Sequence, residues 1–240
     1  KIGIVGTGLM GHAFSERFIS QGFTISVFNR TPERTEGLAD KGANVCSTVD
    51  ELIKSCELII TMVSNAEAIK LLLPLATEET LQGKTILQMA TISPQQSREI
   101  ERSVISSAGH YLEAPVLGSI PEAKTGELII MAGGKKETYT LLLPVLQILG
   151  PAPRYIGAAG SAAALKLAMN QLIASLTAGF SLSLAYARSN DVDTELFMDT
   201  VRDSALYAKT YDKKLQKYID RDFGKANFST QHLLKDIRLL

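Results

Sequence analysis

Two hundred and forty residues, 45% hydrophobic and 21% charged, suffice for one large core or two modest ones and carry no compositional sign of disorder. Lys plus Arg and Asp plus Glu balance at 25 each, so no global field recruits nucleic acid or an anionic membrane, and charge-based recognition has to be local. Cys46 and Cys56 have neither metal-site nor disulfide-framework spacing, and no charged leader precedes the first strand-like run, so a cytoplasmic protein is expected.

The β-branched run Ile2–Val5 reads as a first strand and the amphipathic stretch Gly8–Gln21 as a first helix. Further strands are predicted at Thr24–Phe28, Leu58–Thr61, Thr85–Gln88, Tyr111–Val116 and Leu128–Met131, with a helix over Ser93–Ser106. This alternation is the mark of βαβ units, that is, a doubly wound parallel sheet covered on both faces, with ligands beyond the carboxyl ends of its strands. Between Gly150-Pro151-Ala152-Pro153 and Gly157-Ala158-Ala159-Gly160 the alternation stops, and everything beyond reads as helix. The expected fold class is therefore α/β, an N-terminal Rossmann-type domain over 1–160 followed by an all-helical domain over 161–240. The halt at Leu239-Leu240 inside an apparent helix suggests a truncated C-terminal end. Ser161–Ala187 is nearly apolar all round, with Lys166 its only charge, so most of its faces are expected to be buried. A membrane span is the alternative, and Asn170, Gln171, Ser175, Thr177, Ser181 and Ser183 weigh against it.

Gly6-Thr7-Gly8-Leu9-Met10-Gly11 follows the first strand and opens the first helix, the context in which this glycine spacing reads as a dinucleotide fingerprint. The first glycine permits the turn, the second lets backbone approach a pyrophosphate, and the third lets helix pack on strand, while the helix N-terminus supplies unpaired N–H groups. Gly6, Thr7, Gly8, Leu9 and Met10 are thus candidate cofactor residues; a glycine-rich turn without ligand is the plainer alternative. The second strand ends in Phe28-Asn29-Arg30-Thr31, with no carboxylate for the ribose hydroxyls of NAD. Arg30 can pair a 2′-phosphate bidentately, helped by Asn29, Thr31 and Arg34, so NADP(H) is expected; Arg30 as a solvated turn residue is the competing reading. Met62, Val63 and Ser64 after one strand, and Thr91 after the next, are placed to flank ribose and nicotinamide, or else to form simple capped turns.

Lys166 and Asn170 lie four apart, hence on one face of the apolar helix. A lysine in such a helix needs a polar cleft or a partner, and desolvation moves an ammonium towards a pKa useful for proton transfer. When hydride reaches a carbonyl carbon, an ammonium can stabilise the developing charge and deliver the proton, while an amide holds the substrate. A lysine snorkelling to the surface is the other reading.

Four separated motifs, in order, make the chain resemble the β-hydroxyacid dehydrogenase family. Gly6 through Gly11 looks like its cofactor fingerprint, and Glu113-Ala114-Pro115-Val116-Leu117-Gly118-Ser119 looks like its substrate-binding segment. Gly157 through Asn170 is similar to its catalytic-helix motif, the family's catalytic lysine falling on Lys166 and its substrate asparagine on Asn170. Lys235-Asp236 matches the pair that closes the active site, which implies cofactor contact for Lys235 and substrate contact for Asp236. Leu117 replaces the family serine that contacts the substrate carboxylate, so Ser119, the Gly118 backbone and neighbouring groups have to take over that contact, and Thr91 is a further candidate substrate residue. Ala162 replaces a usual glycine. The Asn29-Arg30-Thr31 end and Phe228 look most like the NADPH-using glyoxylate and succinic semialdehyde reductases, where an aromatic lies beside the substrate. Phe228 as a packing residue, and Lys235 and Asp236 as a solvated pair, remain alternatives.

The resemblance implies reduction of a small aldehyde or keto acid by NADPH, with Lys166 as general acid, in a homodimer or homotetramer. Imine reduction and a non-catalytic dinucleotide-binding scaffold compete with it. The imine reductases usually lack this lysine. His12, His110 and His232 have no partners at ligand spacing, so no metal is expected.

Overall fold

The computed structural model describes residues 1–63, 68–69, 81–224 and 228–240. The chain forms two compact units, 1–167 with 238–240, and 168–237.

In the first unit, β1 (Ile2–Val5), β2 (Ile25–Phe28), β3 (Asn44–Val45), β4 (Leu58–Thr61), β5 (Thr85–Gln88) and β6 (His110–Glu113) pair in parallel in the order β3-β2-β1-β4-β5-β6. The chain therefore turns to one side of β1 and then to the other, so a topological switch point lies between β1 and β4. Register sorts the side chains by face. The row Ile4, Ile60, Leu87 and Leu112 joins Phe14 and Phe18 of α1 (Leu9–Ser20) and Leu142 and Leu146 of α5 (Lys136–Leu149). The neighbouring row Ile59, Ile86 and Tyr111 joins Leu52 of α2 (Val49–Ser55) and Ile100 and Val104 of α3 (Pro94–Ser106). Burial on both faces explains why these strands read as continuous apolar runs rather than as alternations.

The same register places Val5, Thr61, Gln88 and Glu113 side by side at the carboxyl edge. Three interstrand spacings, about 14 Å, separate the first from the last.

The predicted strand Tyr111–Val116 is two pieces, because Ala114-Pro115 interrupts it and proline cannot donate to a ladder; β7 is Val116–Leu117. β8 (Ile129–Gly134) runs antiparallel to β6 and β7, a departure from the all-parallel expectation. The link from β7 holds only the short α4 (Ile120–Thr125), too little chain for a crossover, so it returns as an antiparallel pair. β9 (Arg154–Gly157), parallel to β8, falls in the glycine- and proline-rich stretch where no strand was predicted.

The long helix α6 (Ser161–Ser189) is not buried all round. Phe180, Leu184 and Ala187 form a narrow covered stripe at helical spacing, whereas Leu172, Leu182 and Tyr186 are 55%, 73% and 72% exposed. Its length and apolarity would suit a membrane span, but composition alone cannot separate a span from a soluble helix with one uncovered face. In the second unit it is followed by α7 (Thr194–Arg202), α8 (Lys209–Asp220) and α9 (Thr230–Ile237). Phe180, Leu184, Met198 and Leu215 form the core there, with Phe180 stacked on Tyr211 at 4.5 Å.

Glu16 on α1 receives Lys41 from the segment between β2 and β3 and Lys124 from α4, the latter at 2.9 Å. Burial alone would raise its pKa, but hydrogen bonds and charge from the two lysines outweigh that and hold it at about 2. A depressed carboxylate contributes stability above its unfolded pKa and loses it as pH falls through the folded value. Glu16→Gln should therefore lower stability by about 1–2 kcal/mol at neutral pH after allowance for solvent screening. The difference from wild type should shrink between pH 4.5 and about 2 in denaturant titrations.

Candidate active site

The three glycines after β1 answer different demands. Gly6 has φ +95°, and a Cβ there would stand 2.5 Å from the Met62 carbonyl oxygen. A Cβ on Gly11 would overlap the Gly6 carbonyl oxygen. Both glycines are required by the protein itself. Gly8 has φ −66°, and a Cβ there would meet only Arg34 Nη1, at 3.5 Å. Neither its backbone nor its packing needs glycine, and the open space at its Cβ is room for a ligand.

Gly8 is also the N-cap of α1; it offers no side-chain acceptor, and the first turn holds no acid. The first-turn N–H groups, without intrahelical acceptors, face outward with the positive end of the helix dipole. Thr7 Oγ1 and Thr61 Oγ1 are buried without hydrogen-bond partners among the described residues. An open cradle, unpaired donors and orphaned hydroxyls together fit a dinucleotide pyrophosphate.

Asn29 braces this turn. Its Oδ1 accepts the Thr7 N–H at 3.0 Å, and its Nδ2 donates to the Thr31 carbonyl at 2.9 Å. Its amide is thus engaged by backbone, while Arg30 and Thr31 stand exposed. Leu9 is 59% exposed, and Met10, Met62 and Val63 are half-buried against the two cores. Ser64 lies outside the described residues. Thr91 is half-buried ahead of Ser93, which caps α3 in a reciprocal box with Gln96.

At the far end of the strand-edge row, Glu113 is fully buried. Its Oε1 accepts the N–H groups of Gly160, Ala162 and Ala163 at 2.9, 2.8 and 3.2 Å, and its Oε2 accepts from Ser97 Oγ. The carboxylate therefore caps α6 where that helix leaves the sheet edge, and half-buried Lys166 follows within a turn. Ala162, in place of the family glycine, is completely buried with its N–H in this cap.

Gly118 (φ +129°) is required by its own surroundings, since a Cβ would stand 2.6 Å from Leu128. Ser119 gives both its N–H and its Oγ–H to Glu122 Oε2, each at 2.8 Å. Its donors are engaged within the protein rather than pointing to a ligand.

The second unit holds the remaining sequence-predicted residues. Asn170 and Asp236 are 1% and 2% exposed, with Asn170 Nδ2 donating to Asp236 Oδ2 at 2.7 Å. Lys235 Nζ pairs Asp236 Oδ1 at 2.7 Å, so this acid is no solvated surface group. Asn170 Oδ1 is buried without a partner among the described residues, which leaves an acceptor for an incoming donor. Phe228 is 44% exposed, its ring 6.4 Å from that of His232, and does not pack in the core. Among the described residues, no three His, Cys, Asp or Glu side chains group as metal ligands. Sequence reasoning missed the bracing by Asn29 and the cap by Glu113. A lone acid closing the apolar strand His110–Glu113 was the available signal, because a buried carboxylate needs donors.

Residues 1–157 match the family description "NAD binding domain of 6-phosphogluconate dehydrogenase", and residues 160–240 match "NAD-binding of NADP-dependent 3-hydroxyisobutyrate dehydrogenase". Glyoxylate/succinic semialdehyde reductase 1 of Arabidopsis thaliana is 30% identical over 100% of this chain and 83% of its own length. In fold, the chain is similar to Mycobacterium tuberculosis 3-hydroxyisobutyrate dehydrogenase solved with L-serine, at TM-score 0.88 and 23% identity over 99% of this chain and 84% of that one. It is also similar to a Myxococcus stipitatus imine reductase in complex with NADP+, at TM-score 0.78 and 23% identity over 99% and 87%.

The glycine geometry separates folding from binding. Gly8→Ala should cost no more than about 1 kcal/mol of stability, the difference between the two residues as an N-cap, while weakening dinucleotide affinity roughly tenfold or more, because the added methyl meets ligand rather than protein. Gly11→Ala should instead lower stability by about 1–3 kcal/mol, as overpacking does. Calorimetry and NADPH fluorescence titration read the two effects.

Proposed function

The chain belongs to the β-hydroxyacid dehydrogenase family of NAD(P)-dependent oxidoreductases, and from that premise we propose that it reduces a small aldehyde or keto acid to the hydroxy acid with NADPH. One observation carries this reading. The glycine turn rises from Val5 and the lysine-bearing helix is tied to Glu113, two positions in a single row of strand ends within one compact unit. On this reading a ligand lying along that edge would have its phosphates at one end and the Lys166 ammonium at the other.

Gly6, Thr7 and Gly8 would hold the pyrophosphate of NADPH, which would supply the hydride for the carbonyl carbon. Lys166 donates a hydrogen bond to the carbonyl oxygen, opposes the charge developing on it, and gives up the proton that completes the hydroxyl. Asn170 and Asp236 hold the substrate in the roles the family resemblance assigns them. Among Gly118, Ser119 and Thr91, Gly118 and Thr91 are the better candidates for the carboxylate, because the Ser119 donors are engaged by Glu122. NADPH is preferred over NADH because Asn29-Arg30-Thr31 directly after β2 carries no acid, Arg30 is exposed there, and Arg34 reaches the Gly8 end of the turn. Leu172, Leu182 and Tyr186 on α6 supply an apolar face for a homo-oligomer.

The likeness to imine reductases favours imine reduction as the second reading. Lys166 as proton donor to an oxygen favours the first.

A panel of glyoxylate, succinic semialdehyde and related short carbonyl acids, with cyclic imines alongside, tests both readings against NADPH and NADH. Wild type should oxidise NADPH with at least one carbonyl acid, and Lys166→Ala should lose about 10²–10⁴-fold in kcat while still binding NADPH. NADPH binding without turnover on any compound would instead identify a scaffold. Arg30→Ala should weaken NADPH roughly tenfold and leave NADH nearly unchanged, as loss of a bidentate phosphate partner implies.

A further inference from the structure

We propose that Glu113 is the positioning residue for Lys166, its buried carboxylate registering the start of α6 against the edge of the sheet. The proposal rests on the reading of Lys166 as general acid. Helix caps usually come from the N-cap side chain, a few atoms from the N–H groups they satisfy. Here Gly157-Ala158-Ala159-Gly160 contains no side chain with an acceptor, and the cap comes instead from 47 to 50 residues upstream. One oxygen, Oε1, takes three N–H groups of the first turn. A negative charge at a helix N-terminus is further favoured by the macrodipole.

The seat is built for this acid. A Cβ on Gly133 would stand 2.5 Å from Glu113 Oε1, so only glycine leaves room for the carboxylate at that place in β8. On the other side Ser97 Oγ donates to Oε2 and lies 2.8 Å from Tyr111 Oη. A hydroxyl has one proton, so when Ser97 gives it to Glu113, Tyr111 must be the donor to Ser97. Burial pushes the Tyr111 pKa up, which keeps that phenol protonated. All three residues of the chain Tyr111–Ser97–Glu113 are buried, and two of them belong to β6 itself.

Ala162 and Ala163, whose N–H groups are tied, precede Lys166 by four and three residues, the spacings that share a helix face. In the helix the Lys166 N–H bonds to the Ala162 carbonyl, so the tied peptide units and the lysine backbone are one hydrogen-bonded turn apart. A loosened first turn displaces the ammonium at its end, and displacements of about 1 Å cost on the order of 10²-fold in rate.

The test compares wild type with Glu113→Gln and Glu113→Ala. In both variants, amide exchange at 162–166 should accelerate roughly tenfold or more, since loss of a cap promotes local opening. Relative to wild type, kcat should fall about tenfold in Glu113→Gln and further in Glu113→Ala, with KM and NADPH affinity held within roughly threefold. Wild-type kcat in a folded Glu113→Ala protein would overturn the proposal, and so would parallel losses in kcat, KM and NADPH affinity, the sign of general disruption. If both variants fail to fold, Ser97→Ala, which removes only the hydroxyl behind the carboxylate, must show the same split at smaller size; unchanged kcat there is equally fatal. Should wild type itself turn over no carbonyl acid, the functional reading fails separately. The rate at which acetic anhydride labels the Lys166 amine, read by mass spectrometry, then replaces kcat, and equal rates in wild type and Glu113→Gln would sink the positioning role.

Discussion

A carboxylate sealed inside the protein, with three peptide N–H groups on one of its oxygens, is the constraint on which the arrangement of the first unit turns. An uncompensated charge in that environment would be prohibitive, so the last residue of β6 and the first turn of α6 hold each other in place. The sheet supplies a rigid edge, and the helix supplies donors that have no acceptor of their own. Neither is complete without the other, and the residue proposed for proton transfer follows one turn later.

At the opposite end of the edge, the logic is reversed. The protein withholds partners at the N-terminus of α1: no side chain caps it, no acid sits in its first turn, and the glycine at its start is demanded by nothing within the chain. One helix start is closed by an internal anion and the other is left open for an external one. The same orphan N–H chemistry serves as fold determinant in the first case and as ligand site in the second.

Much of this was legible from residue patterns. The strand–helix alternation predicted the doubly wound core, and the glycine spacing directly after β1 located the turn, because both depend on local periodicity. Three features escaped. The antiparallel return of β8 depends on the length of a connection, which periodicity does not encode. The exposed face of α6 was misread because apolar composition reveals a need for cover without saying whether the same chain provides it. The Glu113 cap and the Asn29–Thr7 brace join residues 47 to 50 and 22 apart, spacings with no local motif, whereas the Ser119–Glu122 bond at three residues has one. Asn29, a candidate cofactor residue from its position after β2, also has its amide held by two backbone groups, which its position alone did not reveal.

That bracing amide separates two tasks which a shorter description would merge. Asn29 shapes the loop from within, whereas Arg30 and Arg34 are exposed and, among the described residues, their guanidinium groups take no part in the hydrogen bonds that hold the turn. With Arg30 and Arg34 in the role proposed for them, nucleotide preference can drift under selection by exchange of surface charges alone, while the architecture beneath them is kept.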